Sequence, residues 1–248
     1  VGAQAAGVLP RMGHLSSVRR FGIVYADMQN QGKDRKTALV TGGTTRLGKA
    51  IAEGLCARGW RVLTTSHRAD AGADIVADFA DPLGPARAYA SALRLLGGQP
   101  PDALVNNAAL FVGEAARLNA VNLEAPKKLT VLMAGRETGR GAVVNILDTR
   151  VLGGVRDGPN AYAATKAALL DDTRKAAALF AETLRVNAVA PGPVLPPTAV
   201  HEKAGGTLLG RPTTDDVAEA VAYLLTARAT TGAVIPVDGG QHLLGGSV

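Results

Sequence analysis

The sequence predicts an α/β fold in which a single domain is built on a mostly parallel, doubly wound sheet of seven strands. Two observations carry this. From residue 37 onward, short β-rich apolar runs alternate with helical patterns, the signature of strand–helix–strand units with helices on both sheet faces. A chain of 248 residues with 47% apolar content can also bury one sizeable core.

Taken in order, "TALVTG" (37–42) is the first strand, and a helix over 48–58 follows it. That helix holds Cys56, the sole cysteine, read as a small core residue; no intramolecular disulfide is possible, which fits a reduced, cytoplasmic setting. The second strand is "RVLTTS" (61–66) and the third "ADIVAD" (73–78), with only "HRADAGA" (67–73) connecting them. A crossover containing a helix needs about 10–12 residues or more, so the helix expected here is predicted to be missing. A helix over 84–96 leads to the fourth strand, "DALVNN" (102–107), and one over 114–135 to the fifth, "GAVVNIL" (141–147). Helices over 160–181 and 214–227 precede the last two strands, "LRVNAVA" (184–190) and "AVIPVD" (233–238). The Gly/Pro-rich stretch 191–206 is a candidate mobile lid, because loops of that length are often functional.

Residues 1–36, ahead of the 37–248 domain, read as a poorly ordered N-terminal extension. Val1 is not Met, whereas Met28 stands nine residues before the first strand, so residues 1–27 read as an extension or a mis-assigned start. The extension carries six Lys/Arg against Asp27 and Asp34, which is +4 of the net +6 and leaves +2 for the domain. With no aromatic interleaving and no recognised DNA-binding motif, this basic excess does not indicate a nucleic-acid partner. No run of 18 uncharged apolar residues is present to span a membrane. His201 and His242 lack metal-ligand spacing and read as surface residues, so no metal is expected.

The first strand runs into "TGGTTRLGKAIAEGL" (41–55). Gly42, Gly43 and Gly48 let the chain turn tightly into a helix whose N-terminal N–H groups and dipole can hold a pyrophosphate, a Rossmann-type dinucleotide site. NAD-preferring sites place an Asp or Glu at the end of the second strand. Here that strand ends in Ser66, His67 and Arg68, and Arg46 occupies the glycine loop. Two guanidiniums near the ribose favour a 2′-phosphate through charge-assisted, often bidentate hydrogen bonds, so NADPH is the predicted cofactor.

Tyr162 and Lys166 stand at i and i+4 and meet on one face if "NAYAATKAALLDDTRKAAALF" is helical. An ammonium beside a phenol is expected to lower the tyrosine pKa, which suits a general acid/base. Together with the glycine loop, this pair resembles the short-chain dehydrogenase/reductase family. "NNA" (106–108), "NAVNLEAP" with Asn122, "APG" (190–192) and "VDGG" (237–240) follow in the family's order, over residues 37–244. The resemblance implies that Tyr162 transfers the proton, that Lys166 tunes Tyr162 and holds the nicotinamide ribose, and that Asn122 supports a proton relay. It implies cofactor contacts at Gly42, Thr45, Arg46, Leu47 and Gly48, at Ser66, His67 and Arg68, and at Asp78 and Phe79 beside the adenine. Asn107 and Ala108 would then lie by the ribose, and Pro191, Gly192 and Val194 along the nicotinamide.

Two positions depart from the family: Arg46 stands where its loop usually has Gly, and Asp148 stands where the fifth strand usually ends in a Ser that steadies a substrate oxygen. An ionised carboxylate only accepts hydrogen bonds, so it is a poor partner for a carbonyl and a good one for N–H groups. Arg46, the His67–Arg68 pair, "ADF" (77–79), Asp148 and Phe111 in "NNAALF" resemble the pteridine reductases and bacterial dihydromonapterin reductases. That subgroup implies a planar heterocyclic substrate held by Arg46, Phe111, Asp148 and Tyr162, with Phe111 stacking the ring. Ala109 and Val194 depart from it, and Asp148 precedes Tyr162 by fourteen positions where thirteen is usual. Two alternatives stay open: an NADPH-dependent carbonyl or 3-oxoacyl reductase with a substituted serine, and a non-catalytic NADP-binding regulatory protein. The helices over 114–135 and 160–181 resemble those through which family members form dimers or tetramers.

Overall fold

The computed structural model describes residues 35–137, 139–153, 160–195 and 206–244, and residues 1–34 of the N-terminal extension and most of the 191–206 loop, His201 included, lie outside them. The sheet strands are β1 (Thr37–Val40), β2 (Arg61–Ser66), β3 (Ile75–Val76), β4 (Ala103–Asn106), β5 (Gly141–Ile146), β6 (Leu184–Pro191) and β7 (Val234–Val237). Their spatial order is β3-β2-β1-β4-β5-β6-β7 and all pairings are parallel. The helices are α1 (Arg46–Ala57), α2 (Gly84–Leu95), α3 (Ala115–Asn119), α4 (Ala125–Ala134), α5 (Ala161–Leu179) and α6 (Thr214–Thr226).

Strand periodicity explains the two layers. Ala38 and Val40, Ala103 and Val105, and Ala142, Val144 and Ile146 face a core shared with Ile51 and Leu55 of α1 and Val217, Val221 and Leu224 of α6. Leu39, Leu104 and Val143, one position out of phase, face the opposite layer, where Tyr89 of α2, Leu129 and Met133 of α4 and Ala176 of α5 lie. Successive side chains point to opposite faces, so a strand covered on both sides has to be apolar throughout. Arg185 of β6 is nonetheless buried, and its guanidinium donates to the Leu224, Leu225 and Thr230 carbonyls, tying the end of α6 to the sheet.

Three expectations need correction. The third strand is two residues long, because Asp74 turns its carboxylate back onto the Thr64 backbone N–H and hydroxyl, and Asp78 caps the turn at Ala80. The helix expected over 114–135 is split by a π-helical turn, Ala120–Glu124, with Asn122 inside it. Cys56 is exposed: Gly48, Ile51, Ala52 and Leu55 form the buried stripe of α1, and Cys56 falls beside it. The missing helix between β2 and β3 is as expected, since only a 3₁₀ turn, Ala69–Ala71, occupies that link.

Candidate active site

The carboxyl ends of β1, β4, β5 and β6 converge on one edge of the sheet, where parallel α/β sheets bind their ligands. Asn107 ties two of these ends together. Its side-chain amide donates to the Thr41 and Gly42 carbonyls at 2.9 and 3.2 Å, and the backbone N–H groups of Asn107 and Ala108 donate to the Thr41 hydroxyl. Gly42, at φ +62°, then turns the chain toward α1.

This loop fits a pyrophosphate. Thr45 enters α1 without a side-chain cap bond and the first turn holds no acidic residue, so the helix N-terminus presents its positive end to the loop. A Cβ on Gly48 would stand 2.1 Å from the Gly42 carbonyl oxygen, and one on Gly192 would stand 2.6 Å from the Asp238 Cβ. Gly48→Ala would normally stabilise a helix; here it is expected to destabilise by about 1–3 kcal/mol through overpacking and to weaken NADPH binding. A thermal melt and a cofactor titration check this, and an unchanged or raised melting temperature contradicts it.

Arg46 takes φ +50°, the left-handed region that costs a non-glycine residue about 1–2 kcal/mol. The turn requires this conformation, which accounts for glycine in the family pattern. Leu47 packs on the core below it. Ser66 is buried and His67 and Arg68 are exposed, and the Ser66 hydroxyl accepts from the Arg68 backbone N–H at 3.1 Å. The Arg68 guanidinium lies in a two-bond pair with Asp70, at 3.0 and 2.7 Å, which raises the arginine pKa and lowers that of the carboxyl. A 2′-phosphate would meet this exposed pair rather than a lone arginine. The Phe79 side chain is buried in the α2 layer, which leaves its backbone rather than its ring to meet a cofactor. Pro191 ends β6, Gly192 donates its N–H to the Val237 carbonyl, and Val194 packs on the core.

The candidate catalytic groups meet as follows. Asn160 caps α5 by accepting from the Ala163 N–H, which starts the helix one residue before Tyr162. Lys166 lies one turn further on, fully buried, with its Nζ donating to the Ile146 carbonyl at 2.7 Å. The Tyr162 hydroxyl donates to Asp148 Oδ2 at 3.1 Å, while Asp148 Oδ1 accepts the Arg150 backbone N–H at 3.0 Å and caps the 3₁₀ turn Thr149–Leu152. The fourteen-residue spacing therefore does not separate carboxylate from phenol.

The expectation of a lowered tyrosine pKa is overturned. Burial, the Asp148 charge and the hydrogen bond to it push the Tyr162 phenol well above its ordinary value, and Arg150 only partly opposes them. Burial lowers Lys166 instead, to about 8, against the opposing pull of Asp148. Asn122 is fully buried; its amide brackets Leu110, accepting from its N–H and donating to its carbonyl at 2.8 Å each, and donates to the Thr165 hydroxyl at 3.2 Å. In this arrangement its side chain positions the segment that carries Phe111. Phe111 is half-exposed rather than a core residue, with its ring centroid 4.6 Å from that of Tyr162 and the planes tilted by 48°.

Sequence reasoning missed Arg150, whose guanidinium lies 5.2 Å from the Phe111 ring centroid and 6.0 Å from that of Tyr162, with Nε 3.8 Å from Asp148 Oδ1. Its position two residues past Asp148 was the available signal. It also missed the buried Asp238 of "VDGG", which accepts from the Thr149 hydroxyl and binds the His242 ring at 2.8 Å, fastening the C-terminal turn to the segment after β5. His242 thus has a specific partner rather than a plain surface position. Among the described residues, no group of three or more His, Cys, Asp or Glu could hold a metal ion, and no helix is long and apolar enough to cross a membrane.

A family model described as enoyl-(acyl carrier protein) reductase matches residues 100–242 of the 248. The chain belongs to the short-chain dehydrogenase/reductase family. Within this family it is 31% identical to the rhamnolipids biosynthesis 3-oxoacyl-[acyl-carrier-protein] reductase of Pseudomonas aeruginosa, over 84% of this chain and 96% of that one. Among solved structures it resembles FolM alternative dihydrofolate reductase 1 from Brucella canis complexed with NADP, at TM-score 0.70 and 32% identity over 84% of this chain and 94% of that one. It also resembles a blue fluorescent protein from a metagenomic library in complex with NADPH, at TM-score 0.75 and 31% identity over 85% and 99% of the two chains. As a short-chain oxidoreductase the chain keeps the family's sheet order and its Tyr–Lys pair, with a carboxylate at the end of β5.

Proposed function

We propose that this short-chain oxidoreductase is an NADPH-dependent reductase of dihydropterins, acting on a C=N bond. The observation that carries the reading is Asp148: its carboxylate, 3.1 Å from the Tyr162 hydroxyl, accepts hydrogen bonds where a ketone-reducing site needs a donor. The exposed Phe111 ring beside it suits a flat heterocycle, and the solved relative named as an alternative dihydrofolate reductase carries NADP.

Bound NADPH would supply hydride to the C=N carbon. The protein's own part is orientation and the proton. Tyr162 is a partly buried phenol held in its protonated form, ready to give that proton to the adjacent ring nitrogen, directly or through the Asp148 pair. The Asp148 charge acts on both neighbours, opposing proton loss from Tyr162 and from Lys166. Lys166, anchored on Ile146, would hold the nicotinamide ribose, and Asn107, Ala108, Pro191, Gly192 and Val194 would line the cofactor. Thr45, Arg46 and Gly48 would bind its phosphates, with Arg46 also within the substrate set, and Ser66, His67 and Arg68 would face the 2′-phosphate. The proposal includes a cytoplasmic setting and self-association through α4 and α5, where Val131 and Leu179 are exposed.

Because the Lys166 pKa lies near 8, NADPH is expected to bind more weakly as pH rises from 7 to 9 and the ammonium is lost. Fluorescence titration of wild type against Lys166→Met checks this: the variant should lose the pH dependence, and a flat wild-type profile contradicts it.

The 3-oxoacyl reductase among the relatives favours a second reading, a carbonyl reductase. The assembled Tyr162, Lys166 and Asp148 argue against a non-catalytic NADP-binding protein. NADPH oxidation with dihydrobiopterin, dihydromonapterin, dihydrofolate, a quinone and simple ketones separates these: pterin turnover supports the proposal, ketone-only activity the second reading, and NADPH binding without turnover the third.

A further inference from the structure

The groups at the end of β5 leave one chemical need unmet. Asp148 accepts, the Tyr162 hydroxyl donates to Asp148, and the Lys166 ammonium donates to the Ile146 carbonyl. A substrate that presents an oxygen beside the reacting bond requires an N–H or O–H donor at this place. Arg150 brings a planar fork of N–H donors to it. Its side chain is 15% exposed, its guanidinium lies over the Phe111 and Tyr162 rings, and Asp148 Oδ1 stands 3.8 Å from its Nε. Two aromatic faces and a carboxylate thus fix the cation next to the proposed stacking surface.

We propose that Arg150 is the specificity-determining donor of this site, receiving the substrate's carbonyl oxygen while the neighbouring Asp148 receives its N–H. Acceptor and donor side by side match a ring edge in which N–H adjoins C=O, the lactam edge of a 4-oxopteridine. The assignment rests on the reductase reading of the site and names the feature by which the site selects its substrate. In a simple ketone the same guanidinium would take the reacting oxygen, in place of a hydroxyl donor on β5.

The test uses the full chain with NADPH bound. Affinities for 2-amino-4-oxopteridine and for 2,4-diaminopteridine, which carries an amino group in place of the oxygen, are measured for wild type, Arg150→Lys and Arg150→Met. A charged hydrogen bond of ordinary strength predicts a loss of about 10–100-fold for the oxo compound in Arg150→Met. The diamino compound should change less than about threefold, Arg150→Lys should lose less than Arg150→Met, and NADPH affinity should stay constant. Equal losses for both compounds, or no loss for either, would overturn the assignment. Should Arg150→Met fail to bind NADPH, the oxo/diamino ratio of Arg150→Lys decides: a lowered ratio supports the assignment and an unchanged one overturns it. If the wild type reduces ketones and no pterin, the dihydropterin reading fails separately. Arg150 is then judged on ketone kcat/KM, where a tenfold or greater loss in Arg150→Met supports it and an unchanged value overturns it.

Discussion

Tyr162→Phe is expected to lower kcat by about 10²–10⁴-fold with whichever substrate the wild type reduces, while NADPH affinity changes little. The size is that of a positioned general acid. The variant removes only the hydroxyl: the ring keeps its contact with Phe111, 4.6 Å between centroids, and Lys166 keeps its bond to the Ile146 carbonyl. Because burial and Asp148 hold the phenol protonated, the wild-type reduction rate should not require a basic pH to ready this group. Single-turnover oxidation of NADPH measures the loss, and a rate within fivefold of wild type would remove Tyr162 from the mechanism.

Asp148→Ser carries the second large effect. It should cut kcat/KM for a dihydropterin by about 10²-fold or more, because a hydrogen bond to a charged group contributes about 1.5–3 kcal/mol and the proton route to Tyr162 is lost with it. Serine also caps turns, so the bond from the Arg150 N–H can be kept and the 3₁₀ turn retained. Without the carboxylate the Tyr162 pKa should fall, since the Asp148 charge and hydrogen bond both raise it. Steady-state kinetics with NADPH titration checks the outcome. Equal loss of turnover and of cofactor binding would assign Asp148 a structural role.

The parts of this molecule legible in the sequence are those set by local pattern. Alternation along "GAVVNIL" places Val143 in one layer and Val144 in the other, and the eight residues between β2 and β3 are too few for a crossover helix. The glycines of the first loop were legible for a similar reason, since close approach of backbone to backbone admits no Cβ at Gly48. Features that depend on depth and on distant neighbours were not. The i,i+4 spacing showed Lys166 beside Tyr162 but not that Lys166 is fully buried and Tyr162 partly so, and loss of solvent is the largest influence on each. Arg150 was hidden because the side-chain directions after β5 depend on a 3₁₀ turn, which only the Asp148 cap reveals. The Arg68–Asp70 pair was written in "HRAD", two residues apart, yet it shows as a pair only when the turn at Ala69–Ala71 folds the carboxylate back.

The most direct test of the account follows the transferred hydrogen. Dihydrobiopterin is reduced with NADPH carrying two deuterons at nicotinamide C4, and the product is examined by NMR. Deuterium on the pterin ring carbon of the former C=N bond is the predicted result. Oxidation of the cofactor only when a ketone is supplied, with deuterium on the carbinol carbon and none in the pterin, would contradict it.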